Sequence, residues 1–259
     1  MRIFVFLFLA ACGGPQGLSE HTVSDGSYTV FVPNGVDPTA APALVHLHAN
    51  GLGASTAANA SVQEALAAEG LVGIFPEGWG DDASTDWNVG DNRHDIPRDD
   101  VAFLVAVGDD VRDRYAPTEL WLGGSSKGGA MTYELACLAD DSAYDGFLPM
   151  HGAIEKALPG PCSHPPRPLH HLQGRADDDH WPLWTADRPE SSHMGIMDSL
   201  LALVGTDDTC LDATVTEDDE GCQVWATCAA EVRLCWHAGG HRLPGDWVAR
   251  QAEALRALR

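Results

Sequence analysis

Lysine is nearly missing from this chain: among 259 residues only Lys127 and Lys156 carry it. Lysine and arginine together number 15 against 38 aspartates and glutamates, giving a formal charge of −23. That imbalance excludes a nucleic-acid partner, which requires a basic face, and disfavours strongly anionic substrates. The acidic excess fits equally a hydrated, salt-tolerant surface and the composition of a GC-rich genome. No internal repeat and no composition break is present, so solenoids and two-domain arrangements drop out. A 259-residue chain with 44% hydrophobic residues can bury one sizeable core. Metal-site spacings are absent as well: there is no Cys-x-x-Cys and no His-Glu-x-x-His. His164, His170, His171, His180 and His193 follow no metal-ligand pattern, and His170 and His171 point to opposite faces of a strand. No metal and no other cofactor is expected. No insertion is long enough for a large helical lid, so the site should be open, as suits a polymeric substrate.

The N-terminus is a targeting segment. Arg2 precedes an apolar run at residues 3–9 that is too short to span a bilayer. It ends in Leu9-Ala10-Ala11-Cys12, a lipobox-like sequence. Residues 1–11 are expected to be a lipoprotein-type signal peptide, with Cys12 lipidated and residues 12–22 a tether to a single domain at 23–259. The alternative is an ordinary secretory signal. Removing Cys12 leaves six cysteines (Cys137, Cys162, Cys210, Cys222, Cys228 and Cys235), an even number that in an exported chain points to disulfides.

Beyond the tether, short apolar runs alternate with helix-forming segments. Strands are predicted at residues 28–32, 43–48, 71–75, 119–123, 147–150, 168–174 and 232–237. Helices are predicted at 55–69, 101–115, 194–204 and 246–258, besides one after residue 128. This alternation implies a mostly parallel sheet covered by helices on both faces. At one strand-to-helix junction stands Gly124-Ser125-Ser126-Lys127-Gly128. Small residues two positions either side of Ser126 are what a tight, strained turn around a nucleophilic serine demands. Downstream, Asp177 opens an aspartate run after Gly174, and His241 follows paired glycines after another strand. Histidine can take the serine proton near neutral pH, and a buried carboxylate fixes its tautomer.

Several blocks together carry a resemblance. They are Leu47-His48-Ala49-Asn50-Gly51, Pro76-Glu77-Gly78 with Asp86-Trp87-Asn88, Asp99-Asp100-Val101-Ala102-Phe103-Leu104, the stretch from Gly124 to Thr132, Gln173-Gly174-Arg175-Ala176-Asp177, and Gly239-Gly240-His241-Arg242-Leu243-Pro244-Gly245. In this order the chain, after residue 40, resembles the poly(3-hydroxybutyrate) depolymerase and feruloyl esterase family of secreted α/β-hydrolases. It departs from the family's usual His-Gly at His48-Ala49, from tryptophan at Leu243, and from a small or amide residue at Lys127. The resemblance implies an α/β-hydrolase fold with no large lid, with Ser126 as nucleophile, Asp177 as acid and His241 as base. The oxyanion hole should use the backbone amides of Lys127 and Asn50, with Ala49 as the fallback donor. Trp87, His48 and Trp181 are assigned to the substrate-binding rim, His48 chiefly as the residue that orders its loop. Trp79 and Trp184 could extend an aromatic wall. Six cysteines allow fifteen pairings. Similar spacing in feruloyl esterases favours Cys222 with Cys235, Cys210 with Cys228, and Cys137 with Cys162.

The expected protein is an exported serine esterase, lipid-anchored in a bacterial cell envelope or extracellular. Its substrates would be hydroxycinnamoyl or acetyl esters of polysaccharides, or short-chain polyesters. The competing expectation is a non-catalytic envelope lipoprotein that uses the same fold as a binding module.

Overall fold

The computed structural model describes residues 16–81, 84–90, 96–139, 143–155, 167–177, 182–187, 189–191, 194–204, 215–225 and 228–257. The chain enters through a hairpin of β1 (Gly17–Val23) and β2 (Gly26–Val32), turned at Ser24 with φ 52°. Then follow β3 (Ala43–Leu47), α1 (Ala60–Glu69), β4 (Val72–Pro76) and a small separate hairpin of β5 (Trp79–Asp81) with β6 (Ser84–Asp86). Next come α2 (Asp100–Tyr115), β7 (Leu120–Ser125), α3 (Lys127–Leu138), β8 (Gly146–Met150), β9 (Leu169–Gly174) and α4 (Ile196–Val204). The chain closes with β10 (Val215–Glu217), β11 (Gln223–Trp225), β12 (Val232–His237) and α5 (Trp247–Ala257). Ten strands form one sheet in the order β1-β2-β4-β3-β7-β8-β9-β12-β11-β10. The centre from β4 to β12 is parallel, and both margins are antiparallel.

β4, β3, β7, β8 and β9 bury every residue, because helices cover both faces. On one face Phe103, Leu104 and Val107 of α2, Met131 and Leu135 of α3 and Leu200 of α4 pack against Val45, Ile74 and Leu122. On the other, Leu66 of α1 and Trp247, Val248 and Leu255 of α5 meet Leu44, Trp121 and Leu148. Asp99 caps α2 by accepting from the Ala102 amide at 3.0 Å, and Gly70, at φ 67°, ends α1 in the left-handed conformation that favours glycine.

Two expectations need correction. The tether does not run to residue 22, since from Gly17 onward the chain is β1, the sheet's edge strand. His21 fixes it there, stacking on Tyr28 at 5.1 Å and meeting the Tyr115 hydroxyl at 2.8 Å. The helix expected over 55–69 is broken: a 3-10 turn at Gly53–Ala58 precedes α1. Asn59 sits extended between them, and its side chain accepts from the Ser61 amide at 3.0 Å, so it starts a new helix instead of continuing the old. The signal peptide and Cys12 lie outside the described residues.

Candidate active site

Ser126 stands between β7 and α3 with φ 55° and ψ −118°, a backbone conformation that costs energy for any residue with a Cβ. The crowding explains the flanking glycines. A Cβ on Gly124 would lie 2.4 Å from the Gly128 carbonyl oxygen, and one on Gly128 would lie 2.3 Å from that of Leu47. The Ser126 amide donates to the Met150 carbonyl at 2.9 Å and its own carbonyl receives the Ala130 amide at 2.9 Å, which locks the turn.

Two loops bring the other expected residues to this serine. Asp177 follows β9, and His241 follows β12, its parallel neighbour. The Arg175 amide donates to the His237 carbonyl at 3.0 Å and the Ala176 amide to the Gly239 carbonyl at 3.1 Å, so the loops are joined along their backbones. His241 Nε2 lies 2.8 Å from Ser126 Oγ, and its Nδ1 lies 3.0 and 3.1 Å from the two Asp177 carboxylate oxygens. The Asp177 side chain is fully buried, whereas that of His241 is 25% exposed. An imidazole so placed can accept the serine proton on one nitrogen while a desolvated carboxylate holds the other. Asp178 and Asp179, the neighbouring acids, lie outside the described residues.

No family model matches the chain, and neither does any curated protein. Solved structures do. An acetyl xylan esterase from Aspergillus awamori aligns over 90% of this chain and 99% of its own, at 11% identity and a TM-score of 0.56. Esterase PE8 aligns over 94% and 100%, at 14% identity and 0.54. An alpha-beta serine hydrolase homologue from Coxiella burnetii aligns over 93% and 97%, at 14% identity and 0.54. The fold is that of the α/β-hydrolases.

In this hydrolase fold the loop after β3 faces the elbow, and Gly128 packs directly on the carbonyls of Leu47 and His48. Lys127 opens α3, with its amide in the helix's first turn, and Asn50 lies exposed on the facing loop. The rim assignments of His48 and Trp87 are corrected: His48 is 2% exposed and Trp87 fully buried, so neither presents a face to substrate. They instead fasten the loop. The Trp87 indole N–H donates to the His48 carbonyl at 2.9 Å. The Gly78 amide donates to His48 Nε2 at 3.0 Å, which leaves Nδ1 protonated to donate to the Ala49 carbonyl at 2.8 Å. Below them, Asn88 donates through its backbone amide to Asp100 at 2.6 Å and through its side chain to the Arg98 carbonyl at 2.9 Å, and Arg98 pairs with Asp100. The Lys127 ammonium lies 3.6 Å from Asp86, with side-chain exposures of 14% and 7%. It ties the elbow to this same segment and is not a solvated side chain. Trp79 and Trp184 remain partly exposed, and Trp181 lies outside the described residues.

Sequence reasoning missed two histidines beside the triad. His151, just past β8 at φ 50°, is fully buried with its ring 5.8 Å from that of His241. Its Nε2 lies 2.6 Å from Nε2 of His237. The Gly239 amide donates to His237 Nδ1 at 3.1 Å, so His237 Nε2 carries the proton that His151 accepts. Burial, then the charges of His237, His171 and His241, push His151 down to about 3. It therefore places no second cation against His241. Both residues sit at the carboxyl ends of strands, where parallel sheets hold their sites, and that position was the available signal.

His170 and His171 do face opposite sides: His171 meets Tyr133 of α3, and His170 meets Glu231 at 3.1 Å. Asp218, Glu220 and Cys222 come together as possible metal donors among the described residues. Cys222 is committed to a disulfide with Cys235, and Asp218 pairs with Arg233 at 2.6 Å, so this group does not form a metal site. The Cys222–Cys235 bridge is the pairing expected across the β11–β12 hairpin. Cys137 and Cys228 are also disulfide-bonded; Cys162 and Cys210, their expected partners, lie outside the described residues.

Proposed function

We propose that this chain is an exported serine carboxylic-ester hydrolase that works through an acyl-enzyme. The observation that carries the reading is the unbroken geometry from Ser126 Oγ through His241 to the buried Asp177 carboxylate. His241 takes the Ser126 proton as Oγ attacks the ester carbonyl. The oxyanion is received by the Lys127 amide and by an amide of the 48–51 loop, with Asn50 as donor and Ala49 as the fallback. One such donor is worth about 3 kcal/mol of barrier lowering. Collapse breaks the carbonyl–alkoxy bond, and the alcohol leaves with the proton from His241. Water then gives its proton to His241, attacks the acyl carbon and releases the acid and free Ser126.

The substrate class is hydroxycinnamoyl or acetyl esters of polysaccharides, or short-chain polyesters such as polyhydroxybutyrate. The sequence blocks resembling feruloyl esterases and depolymerases support this, as does an acetyl xylan esterase among the structural neighbours. Export as a lipoprotein anchored through Cys12 rests on the lipobox-like sequence. Labelling with a fluorophosphonate probe tests the chemistry: Ser126 should be modified in the wild type and not in His241→Ala. A panel of ethyl ferulate, acetylated xylan, hydroxybutyrate oligomers and p-nitrophenyl esters tests the substrate. Failure of the probe to reach Ser126 would favour a non-catalytic binding module.

A further inference from the structure

The triad acid continues into the protein as a chain of hydrogen bonds whose sense is fully determined. Asp177, as a carboxylate, can only accept, so Gln173, 3.1 Å from Oδ2, must present its amide nitrogen to it. The Gln173 carbonyl oxygen then faces His171 Nε2 at 3.0 Å, and that nitrogen must carry a proton. Burial pushes His171 down to about 4, so the ring is neutral and Nδ1 is a lone pair. The Tyr133 hydroxyl, 2.8 Å away, donates to it. Reversing the chain would set the Gln173 carbonyl oxygen against the Asp177 carboxylate, acceptor against acceptor.

The location of this chain is as specific as its direction. Tyr133, His171, Gln173 and Asp177 are at most 3% exposed, and Tyr133 belongs to the apolar core between α3 and the sheet. Apolar side chains of similar size would fill the space without the cost of desolvating polar groups. Tyr133 lies two turns beyond Ser126 on α3. The nucleophile and the acid are thus referred to one rigid helix: Ser126 begins it, and Tyr133 reaches back through β9 to Asp177.

Resting on the serine-hydrolase reading above, we infer that Gln173, His171 and Tyr133 are positioning residues for the triad, holding the Asp177 carboxylate in the rotation that aims it at His241 Nδ1. None of them touches substrate. Their loss should therefore lower kcat and leave KM unchanged, since only the orientation of the base is affected.

The test uses the mature chain, with p-nitrophenyl acetate as substrate and fluorophosphonate titration to count competent sites. Gln173→Met keeps the volume and removes both hydrogen bonds; it should lower kcat per titrated site by about 100-fold, with KM within twofold. Tyr133→Phe removes one oxygen at the far end and should cost about three- to tenfold in kcat. Nitrogen-15 NMR of the imidazoles should show His171 as the Nε2–H tautomer in the wild type. A merely structural role would lower the melting temperature of these variants without changing kcat per titrated site, and that result would overturn the inference. So would an Nδ1–H tautomer at His171. If Gln173→Met does not fold, Tyr133→Phe and the tautomer still decide. A wild type whose Ser126 is not labelled would overturn the hydrolase reading and this inference with it; normal labelling with unchanged variants would overturn this inference alone.

Discussion

Acidification from about pH 6.5 to 4.5 should destabilise this protein before most of its surface carboxylates titrate. Three imidazoles are enclosed in the fold: His46 at 3% exposure, His151 at 0% and His171 at 1%. Burial is the first cause in each case, pushing His46 and His151 down to about 3 and His171 to about 4, from an ordinary 6.5. These are depressed values, so the folded state holds the rings neutral while the unfolded chain takes up protons from pH 6.5 downward. Their stabilisation is complete above 6.5 and is lost as pH falls toward 4. Each ring removes about 1.4 kcal/mol per pH unit in that window, and the three together about 4. Glu134 opposes them. Burial, with nearby Glu155, Asp100 and Asp99, raises it from 4.5 to about 7. Being protonated in the fold, it returns about 1.4 kcal/mol per unit as pH falls from 7 to 4.5. Asp100, raised chiefly by burial, opposes them in the same sense, and the net is a loss on the order of a few kcal/mol by pH 4.5, against a whole stability on the order of 5–15 kcal/mol. His48, His170 and His237 are also depressed, chiefly by burial, and push the same way.

Urea unfolding followed by tryptophan fluorescence at pH 7.0, 6.0, 5.0 and 4.5 would measure this slope directly. His46 offers the control. It packs on Trp247 at 4.2 Å, away from the triad, and its Nδ1 has no hydrogen-bond partner among the described residues. His46→Leu should flatten the profile by about 1.4 kcal/mol per unit. Stability that stays level or rises between pH 6.5 and 4.5 would refute the reasoning, as would an unchanged slope in His46→Leu.

Four further outcomes are expected. Ser126→Ala and His241→Ala should each lower kcat/KM for p-nitrophenyl acetate by several orders of magnitude, and Asp177→Asn by about 10⁴ through the wrong imidazole tautomer, with circular dichroism unchanged. Trp87→Phe removes the donor to the His48 carbonyl and should reduce kcat about tenfold with little change in KM, whereas a rim residue would raise KM. Lys127→Met leaves Asp86 without its ammonium and should cost about 1–3 kcal/mol in urea unfolding, largely recovered in Lys127→Met/Asp86→Asn. Replacing both Cys222 and Cys235 by serine opens a closure spanning 13 residues and should cost about 2–3 kcal/mol by the same measurement.

What could be read from sequence followed from local sterics. Gly124 and Gly128 are forced by backbone atoms within 2.4 Å of where a Cβ would sit, so the elbow carries its own signature. β3, β4 and β7, buried on both faces, are short runs of apolar residues broken only by His46, glycines and the strand-end Pro76 and Ser125. β1 was hidden because Gly17–Val23 pairs at an edge and shows only a weak alternation, with Leu18 half-exposed. Trp87 misled because its assignment came from the likeness of Trp87-Asn88 to a family motif, and only the fold of residues 48–51 above it turns that indole into a buried clamp.

The histidines escaped for a deeper reason. His151 and His237 are 86 residues apart, and Tyr133 and His171 are 38 apart. Only the parallel register that sets Met150 beside Leu172, Leu234 beside His171 and His237 beside Gly174 carries them to one end of the sheet. Once there, their protonation follows from their partners. His171 is held neutral with its proton on Nε2, and His237 donates from Nε2 to a neutral His151. None of these rings places a fixed positive charge against His241, which bonds to both the Ser126 hydroxyl and the Asp177 carboxylate. A base must gain and lose one proton in each half of the proposed reaction, and a second imidazolium at 5–6 Å would oppose the gain. The buried neutral histidines thus favour turnover near neutral pH and, by the same burial, make the fold sensitive to acid.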